Sequence, residues 1–258
     1  MYDELRAYRR QDFTLGKWRV HQPTLNEIES ETIGEERYWT IVCSFVGTAY
    51  DERLYLWSKG IDFNSMTDFQ VFVMRVEEKI VEPVDLFFPD IKIQNYQTFY
   101  DPENENIILI DQENKQVITE DDYTLLTDFL RNLHGLPKNS IRDGNEATKK
   151  WRLDYELSQL EKKIARGIVD EFHSVLQPCI SAMINLPGFK YNWHTVWGLP
   201  INVFYDSLRR TQVIKQADDL MKGLYAGVID YKKMKNKDEL NWLRSLNENK
   251  KGGTKYGN

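Results

Sequence analysis

Apolar residues recur at helical spacing in the first third of the chain. From Glu35 to Val46 and from Asp51 to Ser58 they return every three or four positions, as expected for helices with one buried face. A third apolar run covers Phe69 to Val76. Ser65 and Asp68 stand three apart before this run, which is the spacing of an N-terminal cap. This part is therefore predicted to be a set of short helices.

Two other segments alternate between apolar and polar residues, which predicts strands. Residues 13–21 alternate around a glycine, as suits a short hairpin. Residues 91–119 hold three alternating or β-branched stretches separated by turn-like sequences, which predicts a three-stranded antiparallel meander. A capping pair after each segment predicts the start of a helix. These pairs are Thr24 with Glu27 and Thr119 with Asp122.

The second half contains a long predicted helix after a polar linker, PKNSIRDGN, at residues 137–145. Its leucines and isoleucine at 153, 157, 160 and 164 are spaced by four, three and four, which is the spacing of a coiled-coil seam. A helix that lies on its own domain explains the same spacing. We favour the second interpretation because two heptads are short for a free coiled coil.

Three more helices are predicted towards the C-terminus. Phe172 to Leu186 is apolar on most faces and is expected to be a central helix with a kink near Pro178. Pro200 is expected in the first turn of the next helix. The last helix is predicted from Glu239 to Leu246, with four apolar anchors.

The predicted fold class is α+β, predominantly helical, with a small antiparallel β-meander. Residues 1–136 form a helical region with this sheet, 137–145 a linker, and 146–247 a second helical region. The chain carries a net charge of −6, yet residues 232–258 hold eight Lys or Arg and three acidic residues. The flexible basic tail at 248–258 could bind an acidic partner or nucleic acid, but a solubilising terminus is favoured.

Composition limits the compartment and the class of protein. With 41% hydrophobic and 13% aromatic residues, the chain can form a sizeable core. No apolar run reaches about 18 residues and the N-terminus is polar, so neither a membrane span nor a secretory signal is predicted. The expected location is the cytoplasm. Cys43 and Cys179 are expected to be buried, reduced thiols.

No known catalytic or cofactor motif is recognised. Four scattered histidines favour no metal site, and the phosphate-loop, dinucleotide and nucleophile-elbow patterns do not occur. His194 is the best single polar candidate, although a packed histidine is the favoured interpretation. An enzyme would need a site assembled from separated residues such as His194, Asp206 and Arg210. Nucleic-acid binding by the body is not expected, because the body is acidic. The histidines are His21, His134, His173 and His194.

Several segments resemble a poorly characterised family of tail-module proteins of phages that infect Gram-positive bacteria. They are WRVHQPTLNEI, GEERYW, LWSKGIDFNSMTDFQVF, NEATKKW and NLPGFKYNWHTVWGLPINVFYDSLRR. The family pattern falls on Gly60 to Phe63, Thr67-Asp68, Pro187 to Asn192 and Val196-Trp197. The resemblance implies a product of the tail-morphogenesis region, such as a tail assembly chaperone or a tail component, located in the host cytoplasm or in the virion tail. It implies no catalytic residue.

The predicted function is therefore non-enzymatic tail morphogenesis, without a cofactor, by binding tail tube or tape-measure proteins. Helix-in-groove or flat aromatic contacts would carry the binding. A structural part of the virion tail or baseplate, with a large symmetric interface, is one alternative, and an enzyme is the other. The sequence also leaves open whether the chain forms a homo-oligomer. The candidate partner-binding residues are Trp193, Trp197, Arg209, Arg210 and Trp242.

Overall fold

A computed structural model describes residues 8–9, 11–102, 105–139, 145–244 and 246. The fold is α+β and predominantly helical, as predicted. The predicted tail at 248–258 lies outside the described residues. The helices are α1 (Leu25–Glu29), α2 (Gly34–Val46), α3 (Arg53–Ser58), α4 (Asp68–Glu77), α5 (Glu120–His134), α6 (Glu146–Ala165), α7 (Leu176–Ile184) and α8 (Ile201–Tyr225). The strands are β1 (Phe13–Leu15), β2 (Trp18–Val20), β3 (Gln97–Asp101), β4 (Asn106–Asp111) and β5 (Gln116–Ile118).

Both predicted β-segments form antiparallel sheets. β1 and β2 make a hairpin, and β3, β4 and β5 make the meander in chain order. Leu109 pairs with Thr98 on one side and with Ile118 on the other. Leu109 and Ile118 are fully buried, so one face of the meander covers the core. The meander is shorter than predicted, because residues 93–95 form a 3₁₀ turn before it.

Side-chain caps begin α1, α4 and α5. Thr24 and Thr119 each form the reciprocal capping box predicted for them, and α5 ends at Gly135 in the left-handed conformation that glycine favours. The prediction of a cap by Ser65 and Asp68 is wrong. Thr67 caps α4 instead, because its hydroxyl accepts from the backbone N–H of Gln70 and the Gln70 side chain bonds back.

The main core draws side chains from before residue 137 and from after residue 145. The backbones of the two regions also meet. Leu25 N–H donates to the carbonyl of Leu199 at 2.9 Å, and Ile201 N–H donates to that of Pro23 at 2.8 Å. These bonds place the start of α8 beside α1. Large buried members of this core include Trp18, Tyr38, Phe45, Phe72, Phe87, Phe88 and Phe204.

A second apolar cluster joins α6 to α3. Leu153 is fully buried there, and the ammonium of Lys149 bonds to Asp62 at 2.5 Å while it lies over the Phe63 ring. The seam predicted along α6 therefore divides. Its first half packs on the chain's own body, whereas Leu160 and Ile164 are exposed.

The two remaining C-terminal helix predictions need correction. α7 begins at Leu176, so Pro178 lies in its first turn, where a missing N–H causes no kink. α7 is also peripheral, because only Leu176 and Met183 of its described side chains are buried. The carboxylate of Glu35 on α2 accepts from the N–H groups of Val175 and Leu176, both at 2.7 Å, and so holds the helix start.

The described residues between 239 and 246 form no α-helix, contrary to the prediction. A 3₁₀ turn over Lys237–Leu240 replaces it, and Trp242 and Leu243 are exposed rather than buried. Pro200 is the residue before α8 and not part of its first turn.

The cysteine prediction is partly wrong. Both thiols are free, but Cys43 is exposed and Cys179 is half-buried. Within the described ranges, no helix has the length and hydropathy needed to cross a membrane.

Candidate partner-binding surface

α8 is the scaffold of the region that holds the predicted partner-binding residues. Its first half is anchored by Ile201, Phe204 and Tyr205, which are buried in the main core. The 3₁₀ turn over Lys237–Leu240 then packs along α8. The helix is about 37 Å long at 1.5 Å per residue, so segments at its two ends are far apart.

The two predicted tryptophans before α8 differ in role. Trp193 has 63% of its surface exposed, and its ring stacks on that of His194. Trp197 is half-buried against the main core, and its indole N–H donates to the carbonyl of Trp193 at 2.8 Å. Trp197 therefore holds the loop, while Trp193 is free for contact.

Both predicted arginines are engaged within the chain. Arg209 donates to the carbonyl of Leu133 at 2.7 Å and so ties α8 to the end of α5. Arg210 donates to the carbonyls of Trp242 and Arg244, at 2.9 and 2.8 Å. These arginines position the surface, and their guanidinium groups have partners already.

The Arg210 contacts hold Trp242 beside α8 with 53% of its surface exposed. Other apolar side chains near the same helix are exposed too, although sequence reasoning did not select them. They follow the end of α8, where no helical periodicity marks an inner and an outer face. We use the name α8 aromatic surface for the exposed apolar side chains that are distributed from the loop before α8 to the segment after it, with Trp193 before its start and Tyr225 at its end: Trp193, Tyr225, Val228, Tyr231, Trp242 and Leu243.

Positive charge borders this surface. Lys232, Lys233, Lys235 and Lys237 are exposed, and the Lys237 ammonium lies 4.3 Å from the centre of the Tyr231 ring. Apolar anchors beside lysines suit a partner segment that carries both apolar and acidic residues.

The three residues of the enzyme alternative have separate partners. His194 is exposed, so the interpretation of this residue as a packed histidine is wrong. The carboxylate of Asp206 accepts a hydrogen bond from the Tyr8 hydroxyl. The pKa of Tyr8 is raised mainly by burial and, to a smaller extent, by this bond. Arg210 binds the carbonyls described above. Among the residues that the structure describes, no cluster of three metal-ligating side chains occurs.

His134, at the end of α5, is half-buried and packs among aromatic rings. Its Nδ1 bonds to the Leu130 carbonyl at 2.7 Å, and its Nε2 bonds to the Tyr38 hydroxyl at 2.5 Å. Burial lowers the pKa of His134 to about 4, so the ring is neutral near pH 7. Its role is to join α5 to α2.

Comparison with known families finds a match in the C-terminal part of the chain. Residues 174–247 match the model described as the YomV second domain, which is a domain of a phage-associated protein. The match spans less than a third of the chain and contains α7, α8 and the whole α8 aromatic surface. No curated protein and no solved structure matches significantly.

Proposed function

We propose that this chain is a non-enzymatic phage tail-morphogenesis protein that binds tail tube or tape-measure proteins through the α8 aromatic surface. The observation that carries the proposal is the position of this surface. Exposed aromatic side chains lie inside the segment that matches a phage-associated domain. Exposed tryptophan and tyrosine side chains are the residue types that dominate binding energy at protein interfaces.

The chemistry of the surface supports a partner segment with apolar anchors and acidic flanks. The apolar anchors would cover Trp193 and Trp242, and the flanks would face the lysines from 232 to 237. Contacts between exposed charges weaken with salt, whereas apolar burial does not. Binding should therefore weaken moderately, but not vanish, between 50 and 500 mM salt, roughly as expected for a Debye length that falls from above 10 Å to below 5 Å.

The first test compares purified virions with the lysate of infected cells. Mass spectrometry of virions and capture from the lysate with the tagged chain are run in parallel. Capture of a tail protein together with absence from virions supports an assembly factor. Stoichiometric presence in virions makes the chain a structural part of the tail. Absence of the chain from virions, together with no tail protein captured from the lysate, favours the enzyme alternative.

Paired variants then test the surface itself. W193A/W242A should reduce capture of the tail protein at least about tenfold, because a buried interface tryptophan contributes about 2 kcal/mol or more. The matched control is W151A/Y155A, which removes a stacked and exposed aromatic pair on α6, outside the matched segment. Equal loss in both variants, with circular dichroism unchanged, would contradict the proposed surface.

A further inference from the structure

A cavity of about 400 Å³ lies between α5 and the start of α4. Ligand pockets typically measure about 300 to 1,000 Å³, so the cavity is large enough for a small organic group. Phe63 and Phe69 are buried in its wall and give it an apolar side. The cavity shares none of its lining with the α8 aromatic surface.

Arg131 on α5 lines this cavity and is only 7% exposed. In the described part of the chain, no carboxylate or carbonyl accepts a hydrogen bond from its guanidinium group. Its nitrogens are not among the fully buried polar atoms that lack a partner, so the guanidinium keeps contact with solvent and can exchange that water for a ligand. Arg131 thus differs from Arg75, which is equally buried but bonds to the Ser44 carbonyl and to Glu52.

Two carboxylates near the cavity, Asp51 and Asp68, are committed to other donors. Asp51 accepts from the backbone and hydroxyl of Thr48, at 2.9 and 2.8 Å, and from Asn139 at 2.9 Å. Burial alone would raise the pKa of Asp51, but these bonds and the nearby charge of Arg131 hold it below its usual value. Asp51 therefore supplies an attractive field to Arg131 without a hydrogen bond.

Asp68 is committed in the same way. It accepts from the N–H of Ala49 at 2.9 Å and pairs with Lys138 at 2.5 Å. The segment that carries Lys138 and Asn139 is thereby fastened across one edge of the cavity. The acceptor that Arg131 lacks has to come from outside these groups.

From this geometry we propose that the cavity binds a carboxylate attached to a compact apolar group, with the carboxylate on the guanidinium of Arg131 and the apolar group against Phe63 and Phe69. The carrier is an amino-acid-like molecule or the last residue of a peptide. A guanidinium fork matches a carboxylate in two parallel hydrogen bonds. Glu120 and Asp128 line the cavity as well and are exposed, which disfavours a multiply charged anion such as phosphate.

Isothermal titration of the full chain with N-acetyl-L-phenylalanine tests the site, and the amide of the same compound is the matched ligand without a carboxylate. We expect a dissociation constant on the order of 1 mM for the acid and at least about tenfold weaker binding of the amide. Free L-phenylalanine distinguishes the two carriers: tighter binding than that of the acetylated acid indicates a free amino acid, and weaker binding a peptide end. Equal binding of acid and amide, or no binding of any of the three, overturns the proposal.

Variants separate binding from a structural role. R131Q should weaken binding of the acid at least tenfold and leave the thermal midpoint close to that of the wild type, because the described chain offers the guanidinium no hydrogen-bond acceptor to lose. R131K keeps the charge but loses the fork, so intermediate binding is expected. R166Q makes the same charge change on the exposed end of α6 and should bind like the wild type. A lower midpoint for R131Q with unchanged acid binding would make Arg131 structural and sink the proposal.

Discussion

The surroundings of His134 allow one protonation state. The Leu130 carbonyl can only accept, so Nδ1 carries the proton, and Nε2 then accepts from the Tyr38 hydroxyl. A second proton at Nε2 would force the Tyr38 hydroxyl to turn and accept, so the hydroxyl would lose the acceptor it has now. The nearby charge of Arg209 also disfavours it, although burial is the larger cause of the lowered pKa.

The stability of the chain should therefore fall as the pH falls through the range of an ordinary histidine. The pKa of His134 is about 4 in the fold and about 6.5 when unfolded, so the unfolded chain binds more protons between these values. Above about pH 6.5 the fold keeps its full stability with respect to this histidine. As the pH falls to 4, the free energy of unfolding decreases by about 3 kcal/mol. Urea unfolding of the wild type and of H134Q from pH 7.5 to 4.5 measures it. We expect a shallower pH slope for H134Q, and parallel slopes would contradict the assignment.

Sequence reasoning selected His194 and overlooked His134, and the reason is physical. His194 stands among aromatics in the sequence, yet the loop that carries it runs along the surface. His134 follows the buried Leu126 and Leu130 at steps of four, so it continues the inner face of α5. The helical period was the better signal, because it shows which face of the helix a side chain lies on, whereas aromatic neighbours in the sequence do not.

Local signals predicted the helix starts but not every helix. A capping box is completed within four residues, so Thr24 and Thr119 could be identified directly. The apolar spacing from Glu239 to Leu246 also fits a helix, but so short a helix needs packing to form. Arg210 takes the carbonyls of Trp242 and Arg244 that a continuing helix would use internally. Arg210 lies more than 30 positions earlier in the sequence, so no local pattern could reveal these bonds.

α6 offers a prediction within one helix, because its seam is half buried and half exposed. L153A should lower the free energy of unfolding by about 2 to 4 kcal/mol, since it leaves a cavity between α6 and α3. I164A, at a residue with 68% of its surface exposed, should change the same quantity by less than about 0.5 kcal/mol. Urea denaturation of both variants checks the contrast. A large effect of I164A that depends on protein concentration would instead reveal a coiled coil between chains.

The arrangement of the whole chain depends on contacts that no sequence pattern marks. Leu25 and Leu199 are joined by a backbone hydrogen bond, and Phe204 lies in the same core as Trp18. A linker composition at residues 137–145 indicates where the chain can turn, but not whether the regions on either side share a core. Such distant pairings are decided by which apolar faces fit together once the helices exist.

Because the two regions share one core, we expect them to unfold together. Trp18 is buried in the N-terminal hairpin, so tryptophan fluorescence, far-ultraviolet circular dichroism and hydrogen exchange at residues 201–210 should report coincident transitions in urea. F204A should shift all three midpoints to lower urea by the same amount, at a cost of about 3 to 5 kcal/mol. Y225A is the matched control at the exposed end of the same helix and should shift none of them. Two separated transitions, with F204A acting on one alone, would show that the regions fold independently and that their contact adds little to the stability of either.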